Sequence, residues 1–255
     1  MGVLNVTPDS FSDGGKFLSP DRALAQAQRL VAEGADIIDI GAESTRPYGG
    51  AQPVSADMEL RRLQPVLADI VALGVPVSID SMKPEVVAWA LDQGALIAND
   101  VWGLQHDSGM ASLLAARNAP VIVMHNRERA DPSLDIMQEI AAFFTRSLEI
   151  AVRAGIAQEN IVLDPGIGFG KTQEQSLIAL ARLDQLRCFG LPLLVGASRK
   201  LFIASVSPSD PHQRLPGSIA AHVIAAQRGA RIFRTHDVAE TVQALRVAAA
   251  IEDKR

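Results

Sequence analysis

Eight points along the chain set a chemically useful polar side chain just after a short apolar run. They are Asn5, Asp39 with Glu43, Asp80, Asn99 with Asp100, His125 with Asn126, Asp164, Ser198 with Lys200, and Arg234 with His236. A buried carboxylate such as Asp164 can accept two donors from the edge of a flat heterocycle in a planar pair. Arg234 and His236 are two residues apart, so on extended chain both point the same way, and with free helix N–H groups they would make an anion site. The stretch DPGIGFGKT, Asp164 to Thr172, resembles a phosphate cradle at first sight. It matches neither glycine fingerprint: Pro165 stands where the Walker pattern needs glycine, and Lys171 where the dinucleotide pattern needs its third. What remains is an acid ending the apolar run IVLD, followed by three glycines that let a ligand approach a thin turn. Taken singly, each acid or amide reads equally well as a helix N-cap after a strand.

Their common phase points to the elements that position them. The runs GVLNV (2–6), DIIDIG (36–41), VPVSID (75–80), ALIAND (95–100), PVIVMH (120–125), NIVLD (160–164), LPLLVG (191–196) and ARIFRT (230–235) read as strands. Between them lie helical segments, among them SPDRALAQAQRLVAEG with Ser19 or Asp21 near its start, and SLDIMQEIAAFFTRSLEIAVRAG. Gly34, Gly74, Gly94, Gly155, Gly190 and Gly229 serve as stops. Eight strand–helix units in 255 residues predict an α/β fold, a (β/α)8 TIM barrel forming a single domain over 1–255. In that architecture chemistry sits at the C-terminal strand ends, where the eight points fall. A doubly wound open sheet is the competing architecture.

Composition narrows the function further. The net charge of −5 and the lack of a basic block argue against nucleic acid or an anionic membrane as partner. The single cysteine, Cys188, excludes an internal disulfide framework and reads by default as a core or groove residue in a reducing compartment. No apolar run approaches the roughly 18 residues of a membrane span, and MGVLNVTPDS lacks the features of a signal peptide. These features predict a cytoplasmic protein.

NVTPDSFSDGG, the STRP of GAESTRP, SID (78–80), ND (99–100), MH (124–125), DPGIGFGK, SRK (198–200) and HD (236–237) resemble the dihydropteroate synthase family, in the same order and over nearly the whole chain. The resemblance implies a (β/α)8 barrel and a transferase of folate biosynthesis. Its reaction joins 6-hydroxymethyl-7,8-dihydropterin pyrophosphate to p-aminobenzoate, giving 7,8-dihydropteroate and pyrophosphate. It also implies Mg2+, a homodimer and a target of sulfonamides. Pterin contacts carry over to Asp80, Asn99, Val101, Met124, Asp164, Phe169 and Lys200. Those for p-aminobenzoate fall to Phe11, Thr45, Arg46, Pro47 and Ser198, and those for pyrophosphate to Asn5, Arg234 and His236, with Asn5 also reaching the metal. Asn5, Thr45, Arg46, Asp80, Asp164, Lys200, Arg234 and His236 form the implied catalytic set. PDSFSDGGKF and STRPYGGAQP read as mobile loops from their own residues.

The chain departs from the family pattern in places. It starts almost inside its first strand, where the family usually carries a short hairpin. Ala42 replaces a more usual glycine, Tyr48-Gly49-Gly50 follows STRP, and Asn126-Arg127 follows MH. Trp102 reads as pocket rim or helix packing. A pterin-binding methyltransferase barrel shares the pterin-reading acids and amides, but needs neither STRP nor an anion pair at Arg234 and His236. A non-catalytic paralogue is disfavoured by the intact catalytic set.

Overall fold

The structure, a computed structural model, describes residues 1–7, 19–43 and 54–254. Phe11, Thr45, Arg46, Pro47 and Tyr48-Gly49-Gly50 lie outside the described residues, as do the two segments read as mobile loops.

All eight expected strands form: β1 (Gly2–Asn5), β2 (Ile38–Gly41), β3 (Val77–Asp80), β4 (Ile97–Asp100), β5 (Val121–Met124), β6 (Ile161–Asp164), β7 (Leu193–Val195) and β8 (Ala230–Phe233). They pair in parallel in simple chain order, with helices between successive strands. A doubly wound sheet would reverse its order at a switch point; this one does not. Just past β8, a parallel bridge pairs Thr235 with Gly2. The Val3 N–H donates to the Thr235 carbonyl at 3.0 Å, and the Thr235 N–H to the Met1 carbonyl at 3.0 Å. The fold is TIM-barrel-like.

The period-two alternation of the strands sorts their side chains. Ile38, Ile40 and Ile79 join one apolar cluster with the helix residues Leu30, Leu67, Leu114 and Phe144. The alternate residues Asp39, Ser78, Asp80 and Asn99 are buried polar groups. The apolar face therefore holds the helices on, and the polar face is left for chemistry. Truncating a fully buried side chain such as Phe144 to alanine costs about 3–5 kcal/mol.

Helix ends follow the sequence signals. Ser19 caps Pro20–Ala32 by accepting from the Arg22 N–H, and that helix buries Ala23, Ala27 and Leu30 along one stripe. Asp135 caps Ile136–Ala154, which ends at Gly155 in the left-handed region, φ 85°. One expectation is overturned. Cys188 is exposed, on the 3-10 segment Leu183–Phe189 that buries Leu183 and Leu186 instead. Among the described residues no helix is long and apolar enough to cross a membrane.

Candidate active site

The strand register sets Asp80 opposite Gly41 on one side and Asn99 on the other. Chain past β8 then brings Arg234 across to them. Its Nε donates to Asp39 Oδ2 at 2.6 Å and its Nη2 to Asp80 Oδ2 at 2.8 Å. Asn99 Nδ2 donates to both Asp39 oxygens, at 3.3 and 3.2 Å. Asp80 Oδ1 is buried without a partner. A buried acceptor left unpaired costs about 1–3 kcal/mol, and among the described residues nothing satisfies this oxygen. Burial pushes Asp80 up to about 7, with the Asp39 charge adding and Arg234 opposing. Burial works against the Arg234 charge, but Asp39 and Asp80 outweigh it and hold the guanidinium protonated more firmly than usual.

A second group surrounds the end of β6. Asp164 pairs in register with Met124, and its Oδ1 accepts the Gly166 N–H at 2.7 Å. Burial raises its pKa, opposed by Lys200, that N–H and Lys171. Lys200 Nζ donates to the Ile167 carbonyl and lies 4.6 Å from the centre of the Phe169 ring. Burial pushes Lys200 down to about 8, against the pull of Asp164. Val101 and Met124 are buried and Phe169 is half-buried. Behind the turn, Lys171 Nζ lies 2.6 Å from His125 Nδ1 and donates to the carbonyls of Gly166 and Phe169 at 3.0 and 3.1 Å.

The third group joins the ends of β7 and β8. Ser198 Oγ lies 3.0 Å from His236 Nδ1 and accepts the His236 N–H at 3.2 Å. Arg199, left-handed at φ 58°, donates its N–H to Ser218 Oγ at 2.9 Å and its Nε to Asp237 at 3.0 Å.

Arg234 and His236 engage different partners: the guanidinium is drawn to Asp39 and Asp80, whose buried charges need a cation, and His236 meets Ser198. Ser198, expected with the p-aminobenzoate contacts, adjoins the histidine expected to hold pyrophosphate. Asp100 is a structural cap, accepting the N–H groups of Trp102 and Leu104 at 2.9 and 2.6 Å. Trp102 is half-buried and stacks on His106 at 5.8 Å. Asn5 ends β1 half-buried, beside Gly41 of β2.

Asp39, His125 and Lys171 were not assigned roles from sequence. Asp39 and His125 fall in the same strand-end phase as the others, which is the signal that could have found them. Lys171 is visible in the sequence as the residue that breaks a glycine pattern and as the last residue of DPGIGFGK, with no role of its own. Among the described residues no three His, Cys, Asp or Glu side chains gather as a metal site.

A model described as "Pterin binding enzyme" matches residues 1–236. The dihydropteroate synthase of Bacillus subtilis is 44% identical over 255 residues, covering 100% of this chain and 88% of that one. A crystal structure of the dihydropteroate synthase of Clostridium difficile, determined in the presence of pteroic acid, superposes with a TM-score of 0.94 at 47% identity, covering 98% of this chain and 95% of that one. The dihydropteroate synthase of Xanthomonas albilineans with 4-aminobenzoic acid gives 0.93 at 44%, covering 98% and 92%. The barrel-like fold and its polar strand ends thus define a pterin-binding enzyme. The chain belongs to that family, and within it to the dihydropteroate synthases.

Proposed function

We infer that this protein condenses 6-hydroxymethyl-7,8-dihydropterin pyrophosphate with p-aminobenzoate, giving 7,8-dihydropteroate and pyrophosphate in folate biosynthesis. It is a transferase. The observation that carries the reading for this chain's own residues is the unpaired, buried Asp80 Oδ1, with Asn99 next to it in register, Asp164 at the end of β6 and Lys200 past the end of β7. A pterin edge alternates N–H, amino and carbonyl groups. Asp80 and Asp164 take its donors, Asn99 meets a further ring nitrogen, and Lys200 donates to the ring oxygen or nitrogen. Val101, Met124 and Phe169 form the apolar walls.

Pyrophosphate is held at His236, with Asn5 at the neighbouring strand end and Arg234 reinforcing from the carboxylate pair. The C–O bond breaks ahead of amine attack, its electrons leaving with the pyrophosphate oxygen. The electron-rich dihydropterin ring stabilises the remaining methylene cation. The weakly basic aryl amine then adds and loses its proton, which the new C–N bond makes acidic, so no strong general base is needed. Thr45, Arg46, Pro47 and Phe11 are proposed acceptor contacts, with Ser198 joining them at the His236 boundary.

Mg2+ fits the residues present, because this ion is commonly held by one or two protein oxygens together with substrate phosphates and water. Asn5 Oδ1 is the proposed protein ligand, and the bound ion would neutralise charge developing on the leaving diphosphate. The strand order and the bridge past β8 support a closed (β/α)8 barrel in a single domain. A homodimer and a cytoplasmic location complete the reading on the family resemblance.

The test is pyrophosphate release from the pterin pyrophosphate, with and without p-aminobenzoate and magnesium. Release that depends on the pterin ester and rises with p-aminobenzoate is expected. A protein that binds pterin yet releases no pyrophosphate under any of these conditions would contradict the reading.

A further inference from the structure

Lys171 has no part in the chemistry above, yet it is only 6% exposed. A buried ammonium is costly unless its donors are satisfied. Burial pushes Lys171 well below the usual lysine range, with Asp164 opposing, and its Nζ is held by three partners: His125 Nδ1, the Gly166 carbonyl and the Phe169 carbonyl. Two of them belong to the turn itself and lie three residues apart, so Lys171 ties the start of the turn to its end. The third ends β5 next door, where the His125 N–H donates to the Asp164 carbonyl at 2.9 Å. Burial first, and the Lys171 charge second, push His125 down to about 2; Nδ1 of the neutral ring accepts in the tautomer that carries its proton on Nε2, which is buried without a partner among the described residues.

The backbone around this knot is shaped to allow it. Gly166 and Gly170 have φ of 65° and 53°. A Cβ on Gly166 would run into the His125 carbonyl, and one on Gly170 into Arg127. The turn can therefore lie flat on the end of β5 only with glycine at both places. Gly166, whose carbonyl Lys171 holds, is also the residue whose N–H orients Asp164 Oδ1. Phe169, whose carbonyl Lys171 also holds, carries the ring beside Lys200.

We propose that Lys171, held by His125, is a positioning residue for pterin binding: it fixes the turn after β6 in the shape that aims Asp164 and sets Phe169 against the ring. It touches no substrate. The proposal rests on the reading that Asp164 and Phe169 face the pterin, and the alternative is a buried lysine that serves only stability.

The experiment compares Lys171→Met, His125→Leu, His125→Asn and Asp164→Asn by calorimetry with the 6-hydroxymethyl pterin alcohol and with inorganic pyrophosphate, at a temperature where circular dichroism shows each variant folded. Lys171→Met and His125→Leu should lose about tenfold to a hundredfold in affinity for the alcohol, with pyrophosphate affinity unchanged. His125→Asn should retain most of the affinity, because its Oδ1 can accept where Nδ1 does. Should Lys171→Met fail to fold, the two His125 variants carry the comparison. A folded Lys171→Met that binds the alcohol like the parent overturns the proposal, as do His125→Leu and His125→Asn with equal affinities. Loss in Asp164→Asn without loss in Lys171→Met sinks the positioning role alone; parent-like binding by Asp164→Asn removes the pterin reading beneath it.

Discussion

The two sides of the site carry opposite charge imbalances. At the ends of β2, β3 and β8, two carboxylates share the guanidinium of Arg234. At the ends of β6 and β7, the single carboxylate of Asp164 feels two lysines, Lys171 and Lys200. Burial is the largest influence on both sides: it leaves Asp80 at about 7 on the first, and on the second it leaves Lys200 at about 8 and pushes Lys171 well below its usual range. The first side has an acceptor to spare and the second a donor. A flat ring with alternating donors and acceptors matches both if it lies between them. The two sides are also built differently, the first from side-chain ion pairs between distant strands and the second from a backbone turn tied by a lysine.

The most severe way to break the contrast is to remove the cation of the first side. Arg234→Met leaves Asp39 and Asp80 buried without their guanidinium partner, and breaking such a buried pair typically costs about 3–5 kcal/mol. Urea unfolding should show a loss of that order above neutral pH. The sign follows from Asp80: an acid whose pKa is raised in the folded state is penalised in its ionised form, and losing Arg234, which holds Asp80 down, lifts that pKa above the parent's value of about 7, so the penalty is full at alkaline pH and shrinks as pH falls through the lifted pKa and the carboxyl takes a proton. The same variant should weaken the pterin alcohol as well as the pyrophosphate ester, because Asp80 loses its orientation. Loss for the ester alone would return Arg234 to the anion site and separate it from the pterin.

The second side breaks at Asp164. Asparagine in its place presents one donor where the ring offers donors, leaving a buried N–H opposed. We expect a loss on the order of a hundredfold in kcat/KM, measured by pyrophosphate release. Near-parent turnover would reduce Asp164 to the cap that its bond from the Gly166 N–H already makes it.

The strands were legible because β-branched runs buried on both faces leave a local signature, and the polar strand ends because barrel chemistry falls in one phase of that pattern. Pairings between distant elements were not legible. Arg234 and Asp39 are 195 residues apart, and nothing local in FRTHD says that the arginine crosses to β2 rather than standing beside His236. Asp39 itself was noted and left without a role, since a carboxylate after a strand is equally a helix cap. Lys171 escaped for a different reason. A lysine after glycines suggests phosphate, and only the three acceptors around it reveal a residue that holds the protein to itself. Cys188 departs from the default of a lone cysteine in the core because its 3-10 segment buries Leu183 and Leu186 instead.

A gentler probe leaves both sides standing and titrates them. Affinity for the pterin alcohol, which has no phosphate to ionise, should fall as pH drops below about 7, where Asp80 gains a proton and stops accepting. It should fall again as pH rises above about 8, where Lys200 loses the proton it donates. Lys200→Arg should move the alkaline limb out of range while leaving the acid limb in place, since a guanidinium stays protonated. Calorimetry across the range checks both limbs. A flat profile from about pH 6 to 9 would mean that neither imbalance governs binding.

The smallest effect belongs to Ser198, which lies on the boundary between the proposed anion and acceptor contacts. Its hydroxyl lies 3.0 Å from His236 Nδ1 and accepts the His236 N–H at 3.2 Å. Ser198→Ala deletes this pairing, and a hydrogen bond of this kind contributes a net of about 0.5–1.5 kcal/mol, or roughly two- to tenfold. If the hydroxyl only meets p-aminobenzoate, the KM for that substrate alone should rise. The contacts predict a broader result: losing them loosens His236, so affinity for inorganic pyrophosphate should fall by a similar factor while the pterin alcohol is unaffected. Steady-state kinetics for p-aminobenzoate and calorimetry with the other two ligands separate the cases. Unchanged pyrophosphate binding would restore Ser198 to the acceptor alone, whereas a fall in alcohol binding would show that the end of β7 supports the pterin side through its neighbour Lys200.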